Sequence, residues 1–199
     1  MNRKMGAAAS IVNICAVAGF ALCMPLGFLP GCYLSSIFIA FSFVAMMCAF
    51  AAMGKKETKA AANTAMIFAG MYATVILLVY FAQLTTVRLE NLNEQAKSLI
   101  DYSKFGLFFN FNLLGYCFMA LSTLFAGMTI GKKTKLEKAL KWLLTIHGIF
   151  AVTCFVIPMM GIFSSDMQGA DWISTAILEF WCAYFIPVGA LSVKYFKKA

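Results

Sequence analysis

"YLSSIFIAFSFVAMMCAFAAM", residues 33–53, is a run of 21 residues that contains no charged side chain. A transmembrane helix needs roughly 20 consecutive, mostly apolar residues, so this run is long enough to cross a bilayer. It has no continuous polar face that could be turned towards water. The stretch therefore predicts a membrane-spanning helix.

The rest of the chain extends this pattern. Of its 199 residues, 62% are hydrophobic and 12% are charged, whereas an ordinary soluble domain is about half apolar and a quarter charged. A soluble bundle of buried helices would need a polar face on each helix, which these segments lack. We therefore expect one domain, residues 1–199, folded as an all-α membrane bundle of six spans. The predicted spans are 8–28, 33–53, 63–84, 106–130, 140–163 and 173–193.

The basic residues predict how the bundle is oriented, because short basic loops stay in the cytoplasm. If the N-terminus is inside, 13 of the 16 basic residues fall on the inner side and five of the eight acids on the outer side. We therefore expect a multi-pass protein of the cell membrane with both termini cytoplasmic. The net charge of +8 is then an orientation signal and an attraction to anionic lipid. It does not indicate nucleic acid as a partner.

One long segment, residues 83–106, lies between the third and fourth spans. Its leucines recur at helical spacing, and Glu94, Lys97, Asp101 and Lys104 alternate in sign at three- and four-residue steps, which supports a helix. We expect an amphipathic helix on the extracytoplasmic side. It is either a lid over a cavity or a plain connector.

Two asparagines, Asn110 and Asn112, stand in the apolar stretch "FGLFFNFNLLGY", residues 105–116. They point in nearly opposite directions around a helix, because successive residues are about 100° apart. Asn112 shares a face with Tyr116 and Thr123, and this small, polar face is expected to point inward. Asn112 is therefore the predicted buried asparagine, and Asn110 is expected nearer to headgroups or a neighbouring helix.

Other polar residues are expected at a similar depth. Glu179 is the acid within the sixth span, and it shares a face with Thr175. An ionisable residue inside a span usually faces the bundle interior and marks a functional site. Together the sequence predicts an outward-facing polar cavity in which Asn112 hydrogen-bonds to Glu179 or Gln83. The candidate ligand-binding residues are Asn112, Tyr116, Glu179, Gln83, Tyr80 and Thr175. The alternative is that these residues only hold helices together.

His147, the single histidine of the chain, lies in the fifth span. It is a candidate proton relay, or a packing residue with satisfied hydrogen bonds. With one histidine and no closely spaced cysteine pair, the sequence predicts no metal site and no cofactor. Phosphate-binding glycine loops and nucleophile elbows are also missing from the sequence, which argues against the common enzyme classes.

The stretches "YFAQLTTVR" (80–88) and "NLLGYCFMALSTLFAGM" (112–128) resemble small six-span bacterial membrane proteins of uncharacterised function. The resemblance implies an integral membrane protein and no particular activity. In size and number of spans the chain is also similar to the substrate-binding subunits of energy-coupling-factor vitamin transporters.

Three functions remain open from the sequence. The first is binding or transport of a small molecule through the outward-facing cavity. The second is a non-catalytic interaction or assembly subunit with a membrane-protein partner or a second copy of itself. The third is an intramembrane enzyme that modifies lipid, for which the sequence offers few catalytic candidates.

Overall fold

The computed structural model of the chain describes residues 1–161 and 170–198. Asp166, which the sequence assigns to the outer side, and the side chain of Asp171 lie outside the described residues, as does the end of the predicted fifth span. The described residues form eight α-helices. They are α1 (Asn2–Cys23), α2 (Leu29–Met53), α3 (Lys59–Ala82), α4 (Glu94–Ile100), α5 (Leu107–Thr129), α6 (Lys135–His147), α7 (Ile149–Met159) and α8 (Ala170–Lys198).

Six helical units in the described part of the chain are long and apolar enough to cross a membrane. Each of α1, α2, α3, α5 and α8 supplies one unit, and α6 together with α7 supplies another. The predicted all-α bundle of six apolar helices is therefore confirmed. The side of the membrane on which each end lies remains a prediction.

The fifth span differs from its predicted form, a continuous helix over 140–163. The helix begins earlier, at Lys135, because Thr134 and Glu137 form a capping box. The Thr134 hydroxyl accepts from the Glu137 backbone N–H at 3.1 Å, and the Glu137 carboxylate accepts from the Thr134 N–H at 3.0 Å. Such a box satisfies two otherwise unpaired donors at a helix start. The helix is then interrupted at Gly148, between α6 and α7.

Residues 83–106 also differ from the single amphipathic helix predicted there. The end of α3 continues as a π-helical turn, Gln83–Val87, and the short α4 follows. Asn93 caps the start of α4, and its side chain accepts from the Ala96 N–H at 2.8 Å. Asp101 follows the end of α4 and caps the next short turn, Tyr102–Lys104, where its carboxylate accepts from the Ser103 N–H at 2.9 Å. Local capping of this kind divides the segment into separate turns.

The beginning of α1 and the end of α8 lie at the same end of the bundle. A Cβ built at Gly6 lies 2.7 Å from the Phe196 ring and 2.8 Å from Ala49, so α1, α8 and the end of α2 meet there. A Cβ at Gly54 lies 3.7 Å from Thr129 at the end of α5. The two basic turns, residues 54–59 and 130–135, are therefore at this end too, which we call the lysine-rich end.

The interior between α1 and α2 is closely packed. Val17, Ile39 and Phe43 are each 0% exposed. Asn13 of α1 is 1% exposed, and its amide N–H donates to the Ser42 hydroxyl at 2.9 Å in α2. Polar contacts between helices are a common means of association in lipid, where apolar surfaces alone provide little driving force.

Candidate functional site

A cavity of about 100 Å³, which we call the side cavity, lies between α5, α7 and α8. The side chains that line it are Tyr102, Phe109, Asn112, Leu113, Tyr116, His147, Phe150, Cys154, Ile177, Leu178 and Trp181. Most of this wall is aromatic or aliphatic, and a few polar groups converge on it. Small-molecule sites in proteins have this composition.

Asn112 contributes the most unusual polar atom of the wall. The residue is 2% exposed, whereas Asn110 is exposed, so the prediction that Asn112 is the buried asparagine is confirmed. Its Oδ1 is buried and has no hydrogen-bond partner among the described residues. Leaving a buried polar atom unpaired costs about 1–3 kcal/mol. Asn112, a residue of the cavity wall, therefore carries a buried acceptor that no group of the described residues satisfies.

The predicted hydrogen bond from Asn112 to Gln83 or Glu179 is wrong. The Gln83 amide N–H donates to the Ile100 carbonyl at 2.8 Å, and its Oε1 accepts from the Tyr102 N–H at 3.0 Å. Gln83 thus secures the connection between α3 and α5 to the end of α3 instead of reaching the cavity.

Glu179 and Thr175 are both half-buried in α8, and neither lines the side cavity. The cavity face of α8 carries Leu178 and Trp181 instead. Glu179 lies near the thiols of Cys32 and Cys182. Its Oε1 is buried without a partner in the described part of the chain. Similar depth therefore does not bring Glu179 to Asn112.

Tyr80 reaches the cavity indirectly, through Tyr102. The Tyr80 ring stacks on Tyr33 with ring centroids 5.4 Å apart, and it lies 6.0 Å from the Tyr102 ring. Tyr102 itself lines the cavity and packs on Phe109 at 5.3 Å. Burial raises the pKa of Tyr102 to about 12, so its hydroxyl stays protonated at neutral pH. Tyr102 was missed at the sequence level because it lies outside the predicted polar faces.

Trp181 and His147 form one wall of the cavity, which we call the inner wall, and they belong to a hydrogen-bonded series that continues to Thr123. The Trp181 indole N–H donates to His147 Nε2 at 3.1 Å, and His147 Nδ1 lies 2.8 Å from the Thr123 hydroxyl. The Thr123 hydroxyl donates to the Ala120 carbonyl at 2.9 Å. An indole nitrogen is a donor only, so Nε2 accepts and the ring proton is on Nδ1, where it is donated to Thr123.

This arrangement holds His147 as a neutral ring in one tautomer. A proton on Nε2 would face the indole N–H of Trp181, and an indole offers no onward path for a proton. The proton-relay role of His147 therefore remains a prediction. The observed geometry accounts for a different task, which is to fix the position of the Trp181 ring against the cavity.

Tyr116, the remaining predicted residue, does line the side cavity with Asn112 and His147. Its ring meets the Trp181 ring edge-on, with centroids 5.5 Å apart. Trp181, in turn, stacks on Phe185 at 4.9 Å. Aromatic pairs of this geometry add about 0.5–1.5 kcal/mol beyond the area they bury, so these contacts stabilise this side of the cavity.

In the described part of the chain, no group of three or more His, Cys, Asp or Glu side chains is arranged to hold a metal ion. The polar groups that line the side cavity are an amide, two phenols, a thiol and the hydrogen-bonded rings of His147 and Trp181. Known protein-family models, curated protein sequences and solved structures yield no match to this chain.

Proposed function

We propose that this chain is an integral membrane protein that binds a small, largely apolar molecule in the side cavity. The ligand carries a hydrogen-bond donor, a hydroxyl or an N–H, which pairs with Asn112. The observation that carries the proposal is the buried, unpaired Oδ1 of Asn112, a residue that lines the cavity.

The size and lining of the cavity support a compact apolar ligand. An engineered apolar cavity of about 150 Å³ in another protein binds benzene, so a space of about 100 Å³ fits a group of about ring size. A larger ligand would place only this part inside. The unpaired acceptor then selects for a donor, because a buried acceptor left without one is costly.

The packing of α7 supports entry from the side. Helix α7 packs mainly against α5, while the described part of α8 packs against α1 and α6. Between α7 and α8 the cavity is bordered by side chains such as Cys154, which is half-buried, and Ile177, which is 52% exposed. In a bilayer these side chains face acyl chains. We therefore propose that the ligand enters from the lipid, and not through the outward-facing mouth expected from the sequence.

Binding is better supported than transport. On the inner side of the cavity, the His147–Trp181 pair is followed by Leu140, Leu144 and Phe185, which are each 0–1% exposed. A ligand in the cavity would need these side chains to move before it could go further. Transport therefore remains a prediction, whereas binding needs only the geometry described above.

A matched pair of probes tests the proposal. 4-Fluorophenol and 4-fluorotoluene have nearly the same shape, but only the phenol can donate a hydrogen bond. Their binding to the purified protein in detergent micelles is followed by ¹⁹F NMR, with empty micelles as the background. We expect the phenol to bind roughly 3–10-fold more tightly than the toluene, the range expected for one neutral hydrogen bond.

Two variants provide the control. Asn112→Leu removes the acceptor and should abolish the preference for the phenol. Asn110→Leu changes an exposed asparagine two residues away and should leave the preference intact. Equal binding of both probes to the wild-type protein, or equal behaviour of the two variants, would contradict the proposal.

A further inference from the structure

A second concave surface lies at the lysine-rich end, and it shares no lining residue with the side cavity. This groove of about 360 Å³ is lined by Lys132, Lys138, Lys141, Trp142 and Thr145. We call it the lysine groove. Three of its five lining side chains carry a positive charge, so it is suited to an anion.

The charges of the groove have no acidic partner in the described residues, where the ion pair present is Lys97–Glu94. The nearest acid in sequence, Glu137, is already engaged. Its Oε2 accepts from the backbone N–H groups of Lys133 at 2.6 Å and of Thr134 at 3.0 Å. Lysine ammonium groups that lack a carboxylate are free to bind phosphate as point charges.

Lys141 holds the groove in shape. Its Nζ is part-buried and donates to the Ile130 carbonyl at 3.2 Å, which ties α6 to the end of α5. An ammonium group has three N–H donors, so two remain for a ligand. Lys132 and Lys138 are exposed on either side of it.

An apolar stripe continues from the groove along the exposed face of α6 and into α7. Trp142, Ile146 and Ile149 are 65%, 43% and 64% exposed and follow one another at four- and three-residue steps. The opposite face of α6 buries Leu140 and Leu144, each 0% exposed. Tryptophan is enriched where a membrane protein meets the headgroup region, because one part of its ring is apolar and the other polar.

We propose that the lysine groove and the apolar stripe together form a binding site for an anionic phospholipid. The phosphate of the headgroup lies on the ammonium groups, and an acyl chain lies along the stripe. Free phosphate shares the headgroup chemistry but would gain nothing from the stripe. The placement of the stripe next to the groove is the reason for choosing the lipid.

The other basic turn of the same end is an internal control. A groove of about 390 Å³ is lined there by Lys55, Lys56 and Lys59, but its lining includes no aromatic side chain. If positive charge alone retained lipid, both grooves would behave alike. The proposal instead assigns the tighter binding to the groove that adjoins Trp142.

The test measures lipid bound to the full-length protein by native mass spectrometry from detergent micelles. The probes are phosphatidylglycerol, phosphatidylcholine and inorganic phosphate. Lys132→Gln/Lys138→Gln is compared with Lys55→Gln/Lys56→Gln, which removes the same charge at the same end. All four lysines are exposed, and Lys141 is kept because it contacts Ile130, so both variants should fold.

We expect the wild-type protein to prefer phosphatidylglycerol over phosphatidylcholine. Each lysine near an anionic lipid surface contributes on the order of fivefold in affinity, so the first variant should lose roughly tenfold or more and the second much less. Trp142→Ala should weaken the binding of both lipids. Equal losses in the two double variants would overturn the site. Displacement of the lipid by inorganic phosphate at equal concentration would show that the groove is an anion site without a role for the acyl chain, and would also overturn the proposal.

Discussion

Two asparagines are buried in this bundle, and their surroundings differ. Asn13 is 1% exposed and lies in the closely packed interior between α1 and α2, where its amide N–H donates to the Ser42 hydroxyl in the neighbouring helix. Asn112 is 2% exposed and lies in the wall of a cavity. The Oδ1 atoms of both residues have no partner in the described part of the chain.

An unpaired acceptor alone is therefore not evidence of a ligand. Asn13 lines none of the cavities described above, and the cost of its unpaired Oδ1 is offset by the hydrogen bonds that its amide N–H groups donate to Ser42 and Ile39. Beside Asn112 there is space, and a donor brought by a ligand can recover the cost. The comparison shows that the functional signal is the coincidence of an unpaired atom and an adjacent cavity.

The largest expected effect on stability distinguishes the closely packed interior between α1 and α2 from the wall of the side cavity. Phe43→Ala should lower the free energy of unfolding by about 3–5 kcal/mol, because Phe43 is fully buried and its removal leaves a hole. Phe150→Ala should cost clearly less, because Phe150 is half-buried and already borders a cavity. Unfolding in matched detergent micelles measures both. Equal losses would mean that the packing around the side cavity is as tight as that of the core.

A smaller effect is expected at the inner wall of the cavity. Trp181→Phe keeps the stacking on Phe185 but removes the N–H that His147 accepts, which should cost about 1–3 kcal/mol. Since the chain has a single histidine, its ring nitrogens give unambiguous NMR signals. The wild-type protein should show the Nδ1–H tautomer, and the variant a mixture. An Nε2–H tautomer in the wild-type protein would refute the assignment.

The smallest effects on stability separate the two asparagines. Asn13→Leu removes a hydrogen bond between helices, and such contacts in membranes average about 0.6 kcal/mol and reach about 1.7. Asn112→Leu removes an unpaired acceptor and should leave stability unchanged or slightly raised. The same unfolding experiment distinguishes them. A loss for Asn112→Leu as large as that for Asn13→Leu would indicate a structural role for Asn112.

Part of this site could be predicted from the sequence. The inward direction of Asn112 follows from its helical face, which it shares with Tyr116 and Thr123, because helical periodicity depends only on spacing. The six apolar units follow from hydropathy and length. The position of Glu179 did not follow. Its depth along the helix could be obtained from the number of residues. The direction in which its side chain points depends on the rotation of α8 about its axis, which is set by packing such as the close approach of Gly189 to Ile14.

The interruption at Gly148 and the cavity itself were also outside the reach of the sequence. Hydropathy rises from the lysine-bearing α6 to the apolar α7 with no polar stretch between them, so it does not mark the break. A cavity depends on the spacing between helices, which is set by many contacts at once. The lysine groove, in contrast, has a visible sequence signal in the basic turn at 130–135, which at the sequence level indicated orientation and a general attraction to anionic lipid but not a particular binding site.

The most direct test of the central claim is the coupling between Asn112 and the donor group of a ligand. Four dissociation constants are measured by ¹⁹F NMR, for 4-fluorophenol and 4-fluorotoluene with the wild-type protein and with Asn112→Leu. Comparing them as a cycle cancels the effects of micelles and of general packing. A hydrogen bond to Asn112 predicts a coupling of about 0.5–1.5 kcal/mol. A coupling of zero, with the phenol bound equally well by both proteins, would contradict the account.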